Sequence, residues 1–317
     1  MSPDKDKTMK NLKTFIVTFL ISLPFWWGIN FLQQKTEDYF YAQISQPFEN
    51  MVSIPVPKKN LKSPLELNAK SAISLLVDSR GREKILFQKN PEEILPIASL
   101  TKLMTAVIVL ENENYDLEET FITISQNAAN QEDVPQYGNL KKGEKFRVKK
   151  LLELMLIYSS NDAAFALSEV MGVENFVEKM NQKASELGLK NTHFVNPTGL
   201  DPEDLNLRQE TLNYFNYSTA KDLIKLVRYI LENHPLIFEI SRQKGPYLIN
   251  NGLSDLILPE NLILIGGKTG YTDEAGGSMI SVFKNEKGII FFNIILGTES
   301  RATRIIEMQK LINWLTS

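Results

Sequence analysis

The apolar positions of this chain follow three kinds of pattern. From Thr14 to Leu32 they form an uncharged and mostly apolar run, which as a helix at about 1.5 Å per residue spans roughly 28 Å and is long enough to cross a bilayer. From Ser71 to Val77, and again from Lys84 to Gln88, apolar and β-branched residues flank Asp78-Ser79-Arg80-Gly81, which predicts a β-hairpin. A helix beginning near Ala98 carries Leu100, Leu103, Met104, Ala106, Val107, Ile108, Val109 and Leu110. Being apolar nearly all round, it belongs in a core. Helical spacing returns over 148–170, 177–187, 220–232 and 304–315, whereas 266–272, 278–283 and 289–296 read as strands, the last two joined by a turn at 284–288.

Strands therefore occupy both ends of the domain and helices its middle. That order predicts an α+β domain whose N- and C-terminal strands share one mainly antiparallel sheet covered by helices. Between the first apolar run and the first strand, Pro47, Pro55, Pro57 and Pro64 interrupt a stretch without sustained period, the pattern of an extended tether. The expected organisation is a cytoplasmic tail at 1–13, a transmembrane signal-anchor at 14–34, an extracytoplasmic linker at 35–66 and a catalytic domain at 67–317. With the last predicted helix closing the catalytic domain, no further C-terminal domain is expected.

Lys5, Lys7, Lys10 and Lys13 precede the run, and Glu37 and Asp38 follow it. The excess of basic residues on one side puts the N-terminus in the cytoplasm and the remainder outside. A cleaved signal peptide also begins this way, and cleavage would leave the domain secreted. The run exceeds the usual apolar region of about 7–15 residues, and no small-x-small site follows it, so a retained anchor in the cell membrane is the preferred expectation.

The formal net charge of −3, from 35 basic and 38 acidic residues, carries no excess that would favour nucleic acid as a partner. Cysteine is absent, which excludes disulfides, thiolate metal sites and a cysteine nucleophile. His193 and His234 are the only histidines and have no ligand spacing around them. No metal and no cofactor are expected, and His193 reads as structural.

The chemistry sits in three short strings in fixed order: Ser99-Leu100-Thr101-Lys102, Ser159-Ser160-Asn161 and Lys268-Thr269-Gly270. Strings of the form S-x-x-K also begin at Ser2, Ser218, Ser241 and Ser281, but Ser2 precedes the span and the others have no S-x-N after them. A second S-x-N, Ser125-Gln126-Asn127, competes with the later one. The later one continues through Asp162-Ala163-Ala164 into apolar spacing that would hold the polar groups rigidly. Three residues apart on a helix, Ser99 and Lys102 share a face, and the amine can reach the hydroxyl. To serve as base, Lys102 must spend time neutral, which desolvation and the like charge of Lys268 would favour. An edge strand carrying Lys268, Thr269 and Gly270 would present a cation, a hydroxyl and bare backbone to an extended substrate. A nucleotide P-loop fails here, because its first glycine would fall at Leu262.

These strings, with Asn191-Thr192-His193-Phe194, Asn196-Pro197-Thr198-Gly199-Leu200-Asp201 and Tyr217-Ser218-Thr219-Ala220-Lys221-Asp222, resemble the D-alanyl-D-alanine carboxypeptidases among the low-molecular-weight penicillin-binding proteins. The resemblance runs from about Lys70 to the C-terminus. It implies the penicillin-binding protein/β-lactamase-like transpeptidase fold, peptidoglycan stem peptides as substrates and acylation by β-lactams. It further implies Ser99 as nucleophile, Lys102 as its proton acceptor and Ser159 as relay to the leaving D-alanine. Asn161 would hold the substrate amide, Lys268 and Thr269 would bind near the terminal carboxylate, and the amides of Ser99 and Tyr271 would form the oxyanion hole. Arg304 matches a carboxylate-binding arginine of the family, with Arg301 close enough to compete for that role. Two departures are expected: attachment at the front rather than through a C-terminal amphipathic helix with a second β-rich domain, and Ser160 where glycine is frequent.

Three other readings compete. A D,D-endopeptidase of cross-linked peptidoglycan uses the same site. A class A-like β-lactamase would carry Ser-Asp-Asn as its second string and a glutamate-bearing loop for deacylation, neither of which is found. A non-catalytic cell-wall binder would need none of Ser99, Lys102, Ser159, Asn161 and Lys268.

Overall fold

The computed structural model describes residues 64–131, 139–201, 214–243 and 252–317. The expected anchor and nearly all of the linker lie outside them. Among the described residues no helix is long and apolar enough to cross a membrane.

Period-two alternation builds the central sheet. Strands β1 (Ala69–Val77), β2 (Glu83–Lys89), β7 (Leu262–Thr272), β8 (Gly276–Asn285) and β9 (Ile290–Thr298) pair antiparallel in the order β2-β1-β9-β8-β7. Successive side chains point to opposite faces. Ile73, Leu75, Ile280, Val282, Phe292, Ile294 and Leu296 therefore enter one apolar cluster, while Ala72, Met279, Phe283 and Ile295 enter another. On the second face lies the C-terminal helix α8 (Arg301–Thr316), whose Met308, Leu311 and Ile312 are fully buried. The first face carries α6 (Ala220–Asn233) and the short α7 (Leu236–Ser241).

The middle of the chain forms the helical half. A 3-10 turn at Ala98–Thr101 leads into α1 (Lys102–Leu110), buried from Lys102 to Val109. The helices α3 (Val148–Ile157), α4 (Asn161–Glu169) and α5 (Val173–Glu186) pack around it, and a four-residue α2 (Gln126–Ala129) packs on α4. Four short strands also belong here: β4 (Phe121–Thr123) pairs with β5 (Lys145–Arg147), and β3 (Leu95–Pro96) pairs with β6 (Tyr217–Ser218). The predicted strands at both ends, central helices and shared antiparallel sheet are all present.

One helix differs from expectation. The stretch 148–170 is two helices, because Ser159 takes φ +64° and breaks the α-helical path. The Ser160 amide returns to Leu154 O at 3.2 Å, and the Ser160 hydroxyl caps α4 by accepting from the Ala163 amide at 3.1 Å. A serine N-cap satisfies one of the orphan amides that begin a helix, so α4 restarts cleanly after the break.

Candidate active site

The three strings converge where the sheet edge meets the helical half. Ser99 sits in the 3-10 turn, half-buried, with Lys102 three residues on and wholly buried. Lys102 Nζ lies 2.9 Å from Ser99 Oγ, 2.6 Å from Asn161 Oδ1 and 2.5 Å from Thr198 O. An ammonium has three donors, and these are three well-placed acceptors. When Nζ is neutral, its lone pair can face Ser99 Oγ while the remaining N–H groups keep Asn161 and Thr198. The first two strings thus form one hydrogen-bonded unit, as their chain order suggested.

The third string arrives on β7, the edge strand expected from the sequence. Lys268 is wholly buried, and its Nζ donates to Ser159 Oγ at 2.8 Å and to Thr269 O at 2.9 Å. Burial, then the charges of Lys102 and Arg304, hold the Lys268 amine well below the usual lysine range. The burial of Lys102, Lys268 and Arg304 around one desolvated space suits it to an anionic ligand. Thr269 is 2% exposed beside it.

Gly270 explains why the third string ends in glycine. A Cβ there would stand 2.9 Å from Ile97 O and 3.1 Å from both Ala98 Cβ and Ser99 N, so only a bare α-carbon lets β7 lie against the Ser99 turn. This approach brings the Ser99 amide close to the backbone that leads into Tyr271.

Arg304 is 8% exposed, and its Nη1 donates to Gly270 O at 2.7 Å. Burial and Arg301 lower its guanidinium to about 10, with Asp255 opposing. In a trans peptide the C=O and N–H point to opposite sides, so the bond that fixes Gly270 O also fixes the direction of the Tyr271 N–H. Arg301 lies outside this interior: it is exposed, with its guanidinium 4.9 Å from the centre of the Tyr271 ring.

The competing S-x-N string is elsewhere. Ser125 caps α2 by accepting from the Ala128 amide, and its hydroxyl donates to Glu169 Oε1 at 2.7 Å. His193 forms a backbone bridge to Tyr217 and stacks near its ring at 5.7 Å, the structural use expected of it.

Sequence reasoning did not anticipate the contribution of the Asn196–Asp201 segment. Its Thr198 carbonyl supplies the third partner of Lys102, and Asp201 accepts from the Thr272 hydroxyl and the Glu274 amide at the end of β7. Gly199, at φ +85°, was the available signal, since a positive φ marks a turn that glycine permits.

Comparison with known proteins agrees with this architecture. The chain is 32% identical over 270 residues to the D-alanyl-D-alanine carboxypeptidase DacF of Bacillus subtilis, covering 80% of this chain and 64% of that one. It is 30% identical over 281 residues to a D-alanyl-D-alanine endopeptidase of Pseudomonas aeruginosa, covering 82% and 81%. The cefotaxime-bound structure of penicillin-binding protein D2 from Listeria monocytogenes superposes with a TM-score of 0.66 at 28% identity, over 81% of this chain and 100% of that one. The peptidase S11 profile, D-alanyl-D-alanine carboxypeptidase, matches residues 58–299, and the chain belongs to that family.

Proposed function

We propose that the protein is a serine-type D-Ala-D-Ala carboxypeptidase that removes the terminal D-alanine of peptidoglycan stem peptides. The observation that carries this reading is Lys102 Nζ at 2.9 Å from Ser99 Oγ, in a site whose opposite wall holds the buried Lys268. Ser99 Oγ attacks the carbonyl carbon between the two D-alanines, and its proton passes to Lys102. The C–N bond breaks, the leaving amine takes a proton through Ser159, and the acyl group remains as an ester on Ser99. Water then adds to the ester, giving up a proton to the lysine, and Ser99 is regenerated. Asn161 orients the substrate amide, Lys268 and Thr269 receive its carboxylate, and the Ser99 and Tyr271 amides receive the developing oxyanion.

The cefotaxime- and ampicillin-bound structures of the Listeria protein support β-lactams as ligands of this site. The decisive experiment is release of D-alanine from a D-Ala-D-Ala peptide together with labelling of Ser99 by fluorescent penicillin. Absence of both overturns the assignment.

A second reading, D,D-endopeptidase, is favoured by one observation. The chain spans 81% of the Pseudomonas endopeptidase but 64% of the Bacillus carboxypeptidase. Product analysis on monomeric and cross-linked muropeptides separates the two. On either reading, the apolar run at 14–34 anchors the domain on the outer side of the cytoplasmic membrane. Protease accessibility in spheroplasts tests that placement.

A further inference from the structure

Asn216 belongs to none of the three strings, yet it is 3% exposed and joins three segments of the site. Its backbone carbonyl accepts from the Ile97 amide at 3.0 Å. Its Nδ2 faces Thr101 Oγ1 at 3.0 Å, Asn196 O at 3.0 Å and Asn196 Oδ1 at 3.1 Å. Its Oδ1 accepts from the amides of Val195 at 2.6 Å and Asn196 at 3.2 Å. Ile97 and Thr101 stand on either side of Ser99, so Asn216 holds the nucleophile turn by its backbone at Ile97 and by its side chain at Thr101, and that side chain ties the turn to the segment that follows Val195.

Asn196 closes that segment. Its Oδ1 accepts from the Thr198 amide at 3.1 Å, the Thr198 hydroxyl at 3.0 Å and the Gly199 amide at 2.7 Å, and its Nδ2 donates to Leu200 O at 2.9 Å. The turn delivers two carbonyls to α1: Pro197 O to Thr105 Oγ1 at 2.7 Å, and Thr198 O to Lys102 Nζ at 2.5 Å. It also presses on the residue before the nucleophile. A Cβ on Gly199 would come within 2.0 Å of Ala98 O, and Ala98 itself is held at φ +46°.

We propose that Asn216 is a positioning residue for acylation: through Thr101 and Asn196 it keeps the Thr198 carbonyl on Lys102 Nζ and so holds the amine in line with Ser99 Oγ. The proposal rests on the reading of Ser99 and Lys102 as nucleophile and base. A lysine amine is a compact group on a flexible four-carbon stem, and it keeps a direction only if fixed acceptors hold it. Asn161 Oδ1 supplies one such acceptor and Thr198 O the second. With Thr198 released, Nζ can turn away from Oγ, and the loss falls on the chemical step rather than on ligand binding.

The test is stopped-flow acylation by fluorescent penicillin as a function of pH, on the full chain and its Asn216→Ala and Thr101→Val variants. Thr101→Val removes only the hydroxyl that meets Asn216, keeps the side chain's volume, and decides the matter if Asn216→Ala does not fold. The expected result for Asn216→Ala is an acylation rate constant about 10–100-fold lower, with half-saturating penicillin unchanged within about twofold. Thr101→Val is expected to lose about 3–10-fold in the same step. In both variants the acid limb of the rate profile moves to lower pH, because the charged amine has lost a fixed acceptor. Lower thermal stability with an unchanged rate per folded molecule and an unchanged pH profile overturns the proposal alone. A wild-type chain that takes no label overturns the functional reading and this proposal with it.

Discussion

Lys268 donates to the hydroxyl of Ser159 at 2.8 Å, and Ser159 holds its backbone at φ +64° to receive that bond. A left-handed conformation costs an L-residue roughly 1–2 kcal/mol, which glycine escapes. Replacing Ser159 by alanine keeps the strain and removes the hydroxyl, whereas glycine removes both, less a few tenths to ~1 kcal/mol of added chain entropy. Thermal unfolding should therefore place Ser159→Gly on the order of 0.5–1 kcal/mol above Ser159→Ala. On the proposed mechanism, in which Ser159 relays the proton, both variants should lose about 100-fold or more in D-alanine release. Equal stabilities would show that the strain is no larger than the entropy glycine adds to the unfolded chain.

That break is also where the sequence was least legible. The Ser99–Lys102 pair could be read because helical spacing alone places the two on one face, and Lys268 could be read because an apolar strand pattern leads into it. Nothing in the composition of 148–170 marks Ser159 as left-handed, since neither glycine nor proline interrupts the helical spacing around it. The positions of Thr198 and Asn216 were hidden for another reason. Their roles depend on contacts between segments 96 and 115 residues apart, respectively, and local periodicity carries no information about such pairs.

The buried amine of Lys268 makes stability depend on pH. With its folded value held below that of the unfolded chain, the unfolded state binds more protons throughout the interval between the two. Stability therefore rises with pH across that interval and falls as pH drops toward the folded value. Lys268→Met fills similar volume without a charge, so its midpoint temperature should lack this part of the dependence. Thermal melts of the two proteins over a pH series check this. Parallel curves would mean that Lys268 stays charged in the native state at no cost. The same variant should lose most of its acylation by carboxylate-bearing β-lactams, since it removes the amine proposed to receive their carboxylate.

Asp162, one residue beyond Asn161, contributes with the opposite sign. It is 1% exposed, its Oδ2 accepts from the Leu140 amide at 2.8 Å, and its Oδ1 has no hydrogen-bond partner among the described residues. Burial pushes its carboxyl up to about 6, against a smaller downward pull from that amide. The native state therefore holds a proton that the unfolded chain releases between about pH 4 and 6, and stability declines as pH rises through this window. Asp162→Asn has no such proton to lose. Relative to wild type it should gain on the order of 1–2 kcal/mol between about pH 4 and 7, read by urea unfolding at the two pH values. A stability difference that stays constant with pH would place the charge elsewhere.

Arg304 distinguishes two ways of building an oxyanion site. If its guanidinium meets the substrate carboxylate directly, Arg304→Ala and amidation of the substrate's C-terminus remove the same interaction, and their effects on kcat/KM do not add. If it acts by holding Gly270 O, and with it the direction of the Tyr271 N–H, the two changes act on different groups and add within roughly 0.5 kcal/mol. Its 8% exposure and the 2.7 Å bond to Gly270 O favour the second. The expected outcome is additivity, with Arg304→Ala alone lowering kcat by about 100-fold, the scale of losing one oxyanion donor. Arg301→Ala should cost less than about 1 kcal/mol, because that side chain offers only an exposed cation–π contact to Tyr271. A double-mutant-style cycle over enzyme and substrate reads all four combinations, and strong non-additivity would return Arg304 to the carboxylate.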